Sequence, residues 1–476
     1  MSVLLSLFQG LGILVLVLLV FNLMIVVHEL GHYWAARWRG LRVEKFQIWF
    51  GKPIWKKTIN GVQWGLGSIP AGGFVALPQM APMETFEGKS EYQDLPPIKP
   101  IDKIIVAFAG PLFSFLLACV CAVLVWAVGR PVEVPGATTI GFVDTDSPAE
   151  EAGLLPGDEI LRINGTEIRS WSGLLDSVIE RIAFSEGETI EFQVQRGEET
   201  LTILSGWKTE DKAIYQRAGI RQVGLGPITE TKIREIMKNG PAELAGLRPG
   251  DEIVGANGQA ILSALSLANL IRESPEEALD LQVRRGSEVL SVSVTPVVPQ
   301  VSPAPEEEPP PMIGIQWERL QAETRVVHQN PAVMVADSFT MMGRMIGGLF
   351  SSNNNISVQH LGGPIAIGNI FYRLFQQEDG WRLVLWFSVV LNINLALMNL
   401  LPFPVLDGGH ITMSLYEMIT KRAINLRFLE IVQTGCALML FGFMFYVTFF
   451  DVQDLGIFRG GGGETTITFP EPETAP

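Results

Sequence analysis

Charge is scarce in this sequence. Lysine, arginine, aspartate and glutamate make up 18% of its 476 residues, and none falls within residues 1–27, 104–129, 383–406 or 431–450. Each gap holds about 20 residues or more, enough for a helix to cross roughly 30 Å of hydrocarbon. A purely soluble protein is therefore excluded. Cysteine is equally scarce. Cys119, Cys121 and Cys436 all lie inside the charge-free stretches, where neither a disulfide framework nor a cysteine-based zinc site is suggested. They read as small apolar residues. The first gap also lacks the basic n-region and small-residue cleavage site of a secretory signal, and its apolar run is longer than a signal core. A retained helix is expected there.

What charge there is falls unevenly. Ten Lys or Arg residues lie between positions 37 and 103, and Lys421, Arg422 and Arg427 lie between the third and fourth gaps. By the positive-inside rule both connections are cytoplasmic, so both termini and the stretch 130–382 lie outside. Most of the net charge of −15 belongs to that exterior stretch.

The exterior stretch contains a repeat. Residues 147–168 read SPAEEAGLLPGDEILRINGTEI and residues 240–261 read GPAELAGLRPGDEIVGANGQAI, identical at 14 of 22 positions. One fold is used twice. Each copy has a helix start, a helix stop at A-G-L, a P-G-D turn, a short strand and an N-G hairpin turn. This pattern resembles PDZ domains, which add an extended peptide to a strand edge. The candidate edges lie just upstream of each repeat, at 140–143 and 223–226. A groove that stays empty and works as a spacer or steric filter is the competing reading. A proline-rich acidic segment, 296–311, follows as a stiff linker. Residues 332–350 suit either an amphipathic surface helix or core packing, and 361–372 suits a turn and a membrane-proximal helix. The tail from Gly460 reads as a disordered extension.

The reactive residues interrupt the apolar stretches. The first gap runs directly into His28-Glu29-Leu30-Gly31-His32. Ionisable groups on a membrane helix are costly and mark function by default. Positions i and i+4 share a helix face, so His28 and His32 can offer two imidazole nitrogens to one zinc ion. Glu29 beside them is placed to take a proton from a water whose pKa the metal has lowered. A third protein ligand is needed. Asp407, at the end of the third gap and just after the helix-breaking Pro402 and Pro404, is favoured, with His410 as its rival.

Together, HELGH in the first span, F-A-G-P-L-F-S-F at 108–115, two PDZ-like repeats and N-L-L-P-F-P-V-L-D-G-G-H at 399–410 resemble the site-2 protease family of intramembrane zinc metalloproteases, in its branch with two PDZ domains. The resemblance implies that His28, His32 and Asp407 bind Zn2+ and that Glu29 is the catalytic base. It implies that Asn399 and Pro404 hold an unwound substrate strand, and that the loop 63–78 is a membrane re-entrant hairpin. Within that loop Gly72 and Gly73 permit close approach of a substrate backbone. Ser114 departs from the family, where many relatives have Asn.

The expected architecture is a multi-span α-helical membrane protein. Four transmembrane helices (1–36, 104–129, 383–410 and 427–450) combine with two inserted α+β PDZ domains (131–215 and 216–298). A cytoplasmic loop (37–103) contains a membrane-associated β-hairpin at about 62–78. A linker with membrane-proximal helices (299–382) and an exterior tail (451–476) complete the chain. The expected function is hydrolysis of peptide bonds within transmembrane segments of single-span proteins already trimmed outside, of the anti-sigma-factor or remnant-signal-peptide kind. The bacterial inner membrane is the expected location, with the PDZ domains and termini periplasmic. Expected partners are membrane-spanning substrates, the lipid bilayer and exterior peptide C-termini at the PDZ domains, with no nucleic acid. A silent PDZ-bearing scaffold is the rival, but it leaves HELGH and Asp407 without purpose. A transporter would explain neither PDZ domain.

Overall fold

The computed structural model describes residues 2–80, 95–96, 98–133, 138–210, 212, 216–273, 275, 277–302, 308–318, 324–422, 426–455 and 466–469. The chain divides into two compact units. One comprises Met1–Val132, Val326–Met345 and Leu361–Val452, and the other Glu133–Arg325, Ile346–His360 and Gln453–Pro476.

The first unit is built on helices α1 (Ser2–Trp38), α2 (Pro100–Val128), α3 (Gly380–Asn399), α4 (Asp407–Thr420) and α5 (Leu426–Asp454). Four segments are long and apolar enough to cross a membrane: Phe8–Trp38, Pro100–Val128, Gly380–Asn399 and Leu429–Asp454. Lipid tails are as apolar as leucine, so such helices associate by close packing of small residues. Ala118, Ala122 and Val125 of α2 are fully enclosed against Val389 and Ile393 of α3. Met334 joins that cluster from the helix Pro331–Phe350, which places one face of this helix in the core. Leu11, Leu14, Leu19 and Leu23 of α1 face outward, as a lipid-facing surface requires. Asp451 of α5 accepts hydrogen bonds from the Gly363 and Ala366 backbone N–H groups. It thereby caps the helix Pro364–Phe375.

Between α1 and α2 lies a four-stranded sheet of β1 (Lys45–Phe50), β2 (Trp55–Ile59), β3 (Val62–Leu66) and β4 (Ile69–Ala76), in the order β2-β3-β1-β4. The expected hairpin at 62–78 is corrected. β3 and β4 do not pair with each other, because β1 lies between them, parallel to β3 and antiparallel to β4. Gly67 makes the crossing, and a Cβ there would stand 2.3 Å from the Phe50 carbonyl oxygen. Phe46, Val62 and Val75 bury one face of the sheet against Ala35 and Ala36 of α1 and Val106 and Ala107 of α2.

The third span is also corrected. It stops at Asn399 rather than 410, because Pro402 and Pro404 turn the chain before α4 begins at Asp407.

The second unit holds two copies of one β domain. In the first, strands Glu199–Ser205, Ile190–Arg196, Glu159–Ile163 and Thr166–Glu167 form a sheet in that order. In the second, Glu288–Val294, Leu279–Arg285, Glu252–Ala256 and Gln259–Ala260 do the same. The N-G turns take left-handed backbone angles at Asn164 and Asn257, and the two asparagine side chains accept from Glu191 N–H and Asp280 N–H. The P-G-D aspartates are structural. Asp158 meets Arg196 through two hydrogen bonds of 2.7 Å, and Asp251 meets Arg285 through bonds of 2.8 and 2.7 Å.

The limits at 215 and 298 fall short of both domains, since each core is completed later in the chain. Val223 lies in the first core, where Ile140–Val143 pairs with Leu225–Pro227. The two candidate peptide edges therefore cover each other within one domain. Ile313 lies in the second core, where Ile233–Ile236 pairs with Ile315–Trp317. The proline-rich segment is thus an excursion within the second domain, and its centre, 303–307, lies outside the described residues. Part of the tail is ordered as well. Thr466–Thr468 pairs with Gln300–Ser302, and Phe469 is buried beside Gly240 and Gly314. Residues 456–465 and 470–476 lie outside the described residues.

Candidate metal centre

α1 presents His28 and His32 one turn apart toward α2. The helices can approach closely because Gly31 has no side chain, and a Cβ there would stand 2.4 Å from the Ala109 carbonyl oxygen. Both imidazoles are buried, with their Nε2 atoms 3.3 Å apart. Asp407, the first residue of α4, brings Oδ2 to 3.2 Å from His28 Nε2 and Oδ1 to 3.3 Å from His32 Nε2. Among the described residues this is the one set of three His, Cys, Asp or Glu side chains whose ligand atoms all lie within 4.8 Å of one another. His410 is not part of it.

Asp407 reaches this position because the residues after it are small. A Cβ at Gly408 would stand 2.2 Å from the Leu400 carbonyl oxygen, and one at Gly409 would stand 2.1 Å from that of Phe403. Any side chain at either place would push α4 off the preceding turn and carry Asp407 away.

The outer partners of the histidines decide what their inner nitrogens can do. His32 Nδ1 lies 2.8 Å from the Val106 carbonyl oxygen. A carbonyl only accepts, so Nδ1 holds a proton, and in the neutral imidazole that a metal requires Nε2 then presents a lone pair. His28 Nδ1 lies 3.0 Å from the Ser114 hydroxyl, and the Asn399 amide nitrogen lies 3.4 Å from His28 Nε2. Both contacts suit the same tautomer. Two lone pairs and a carboxylate therefore converge, and among the described residues no Lys or Arg pairs with Asp407. Such a set repels itself unless a cation lies at its centre. A tetrahedral zinc ion with bonds of about 2.0–2.1 Å spaces its donors roughly 3.3–3.4 Å apart, close to the spacing these atoms have. The donor set fits the ion.

The remaining candidates are spread around this cluster. Glu29 turns toward β4, where the Val75 backbone hydrogen-bonds to it. A side chain at Gly73 would begin 3.5 Å from the Glu29 Cγ. Gly72 is explained differently: its φ is +68°, and a Cβ would lie 2.0 Å from the Phe50 ring. Asn399 ends α3 beside His28. The Pro404 carbonyl accepts from Gln433 Nε2 of α5 at 3.4 Å.

In the sequence, residues 108–115 of α2 carry only the family resemblance and none of them is a candidate site residue, although Val106, Gly110 and Ser114 all border the histidines. Their spacing of i, i+4 and i+8 along one helix face was the available signal.

The chain matches the family described as peptidase family M50 over residues 16–443. It is 30% identical over 450 residues to a Neisseria meningitidis protein provisionally named a zinc metalloprotease, covering 91% of this chain and 97% of that one. It is 29% identical over 444 residues to the regulator of sigma-E protease RseP of Escherichia coli, covering 87% and 92%. With the Salmonella typhimurium regulator of sigma-E protease RseP it shares 29% identity over 435 residues, covering 85% and 90%.

Proposed function

This chain belongs to peptidase family M50, the site-2 protease family, and on that premise we propose that His28, His32 and Asp407 hold its zinc ion while Glu29 is the general base. It is a zinc metalloprotease with four candidate membrane spans. The observation that carries the assignment of ligands is the convergence of the two imidazole Nε2 atoms, 3.3 Å apart, with one Asp407 oxygen 3.2 Å from His28 and the other 3.3 Å from His32.

Zinc held by His28, His32 and Asp407 would supply a Lewis acid for the scissile carbonyl and would lower the pKa of the attacking water. Glu29 takes the proton from that water and returns it to the departing amide nitrogen. The Val106 carbonyl holds the His32 imidazole in place. The substrate must reach the site as an extended strand, because a helix occupies its own carbonyls and covers them with side chains. β4 is an edge strand of its sheet, and Gly73 keeps its surface beside Glu29 free of a side chain. A substrate strand adds to this edge, with the Asn399 amide meeting a freed backbone group and Pro404 shaping the turn behind it. Gly72 contributes by keeping β4 close to Phe50.

The substrates in this reading are transmembrane segments of single-span proteins trimmed outside the membrane, of the anti-sigma-factor or remnant-signal-peptide kind. Relatives named as regulators of sigma-E support it. The two β domains act as periplasmic PDZ domains of an inner-membrane protein. Strands Leu225–Pro227 and Ile315–Trp317 each pair on one side among the described residues, which leaves an edge for a peptide C-terminus. The test is cleavage of a model transmembrane substrate by the purified chain. Glu29→Gln is expected to be about 10²–10⁴-fold slower, and chelator treatment to abolish cleavage. Unchanged cleavage by Glu29→Gln would sink the mechanism.

A further inference from the structure

α2 touches the metal cluster at three levels of one face. At the first, the Val106 carbonyl takes the His32 Nδ1 proton. At the second, Gly110 leaves room where a Cβ would stand 2.2 Å from His32 Nε2 and 2.9 Å from His28 Nε2. At the third, the Ser114 hydroxyl lies 3.0 Å from His28 Nδ1. Ser114 is fully buried, so water cannot replace it as a partner. The two histidines are therefore held by different means. The partner of His32 is main chain and persists under any substitution, whereas that of His28 depends on one side chain.

We infer that Ser114 is a positioning residue for the metal site, its hydroxyl fixing the ring of His28 so that Nε2 points into the donor triangle. The inference rests on the proposed role of His28 as a zinc ligand. A neutral imidazole has one N–H, which can sit on either nitrogen. With the hydroxyl accepting from Nδ1, the proton stays on the outer side and the lone pair on the inner side. Without it, the outer N–H is buried with no acceptor, so the alternative tautomer and other ring rotations compete with the productive one. Outer partners of this kind typically contribute about 10–100-fold in metal affinity.

The test uses the full chain in detergent, stripped of metal and titrated with zinc against a chromophoric chelator. Ser114→Ala is expected to bind zinc about 10–100-fold more weakly, with the thermal midpoint of the metal-free protein unchanged. Ser114→Thr keeps the hydroxyl and is expected to stay near the parent affinity. Ser114→Val, equal to Thr in size, is expected to fall with Ser114→Ala, and this pair decides the matter if Ser114→Ala does not fold. In a His28→Ala background, Ser114→Ala is expected to add no further loss. Parent affinity in Ser114→Ala, equal affinities for the Thr and Val variants, or a full additional loss in the His28→Ala background would each overturn the inference. If His28→Ala itself binds zinc as the parent does, the ligand assignment fails instead.

Discussion

In the two β domains a buried aspartate meets a guanidinium, whereas among the membrane helices a partly buried one meets two imidazoles. Asp158 and Asp251 are each 1% exposed. Each is closed by a two-pronged arginine and by a backbone N–H, from Leu155 and Arg248 respectively. Charge and hydrogen-bonding capacity are both satisfied, so these sites need nothing further. Asp407 faces the lone-pair side of both histidines. Its side chain is 18% exposed, and a charge so largely withdrawn from water without a counter-charge is destabilising, so this arrangement calls for a cation from outside the chain. The most repeated acid of the sequence belongs to the scaffold, and the unrepeated one to the chemistry.

The largest expected effect comes from removing the open acid. Asp407→Asn should weaken zinc binding by more than about 100-fold, beyond the range for outer partners, and abolish substrate cleavage. The metal-free protein should melt no earlier than the parent, because the carboxylate was uncompensated. Zinc content and a metal-free melt check this, and retained zinc would return His410 to consideration. Gly110→Ala comes next. Its methyl group would displace His32 Nε2, so a loss of about 10–100-fold in zinc affinity is expected with β-domain stability untouched. Normal zinc binding would show that the cluster tolerates more room than its spacing indicates. Asp251→Asn should act in the opposite sense. It should lower the unfolding midpoint of the second domain and leave zinc content unchanged. A midpoint equal to the parent's would erase the distinction between closed and open acids.

Sequence alone showed the four spans because charge is excluded from them residue by residue. The i, i+4 spacing put His28 and His32 on one face, and the P-G-D and N-G pairs exposed the repeated domains. What escaped depends on distant residues. β1 enters between β3 and β4 through a crossing at Gly67 that no local pattern announces. Val223 and Ile313 complete their domains after intervening loops, so limits drawn at 215 and 298 cut too early. Ser114 meets His28 across 86 positions, a contact hinted at only by the i, i+4 and i+8 spacing of Val106, Gly110 and Ser114. Phe469 sits among glycine, proline and acid in sequence, the composition of an unstructured tail, whereas its packing partners lie at Gly240 and Gly314.

The smallest expected effect is a difference in acid sensitivity. The Arg285 guanidinium, hydrogen-bonded to Asp251, holds that carboxyl below the usual carboxylate range. An unfolded aspartate titrates near about 3.9, so in acid the unfolded chain binds the proton more readily than the folded one. The stabilisation is therefore complete above the unfolded value. It is lost as the pH falls through about 4 toward the lower folded value. Amide exchange in the strand Leu279–Arg285, followed in the full chain between about pH 5 and 3, should speed up more steeply in the parent than in Asp251→Asn, after correction for the intrinsic rate. The substitution removes the titrating group, so the variant begins less protected and changes less. Parallel slopes would mean that Asp251 gains nothing from its charge in the folded state, and the arginine would then be a packing partner rather than the closure that sets this acid apart from Asp407.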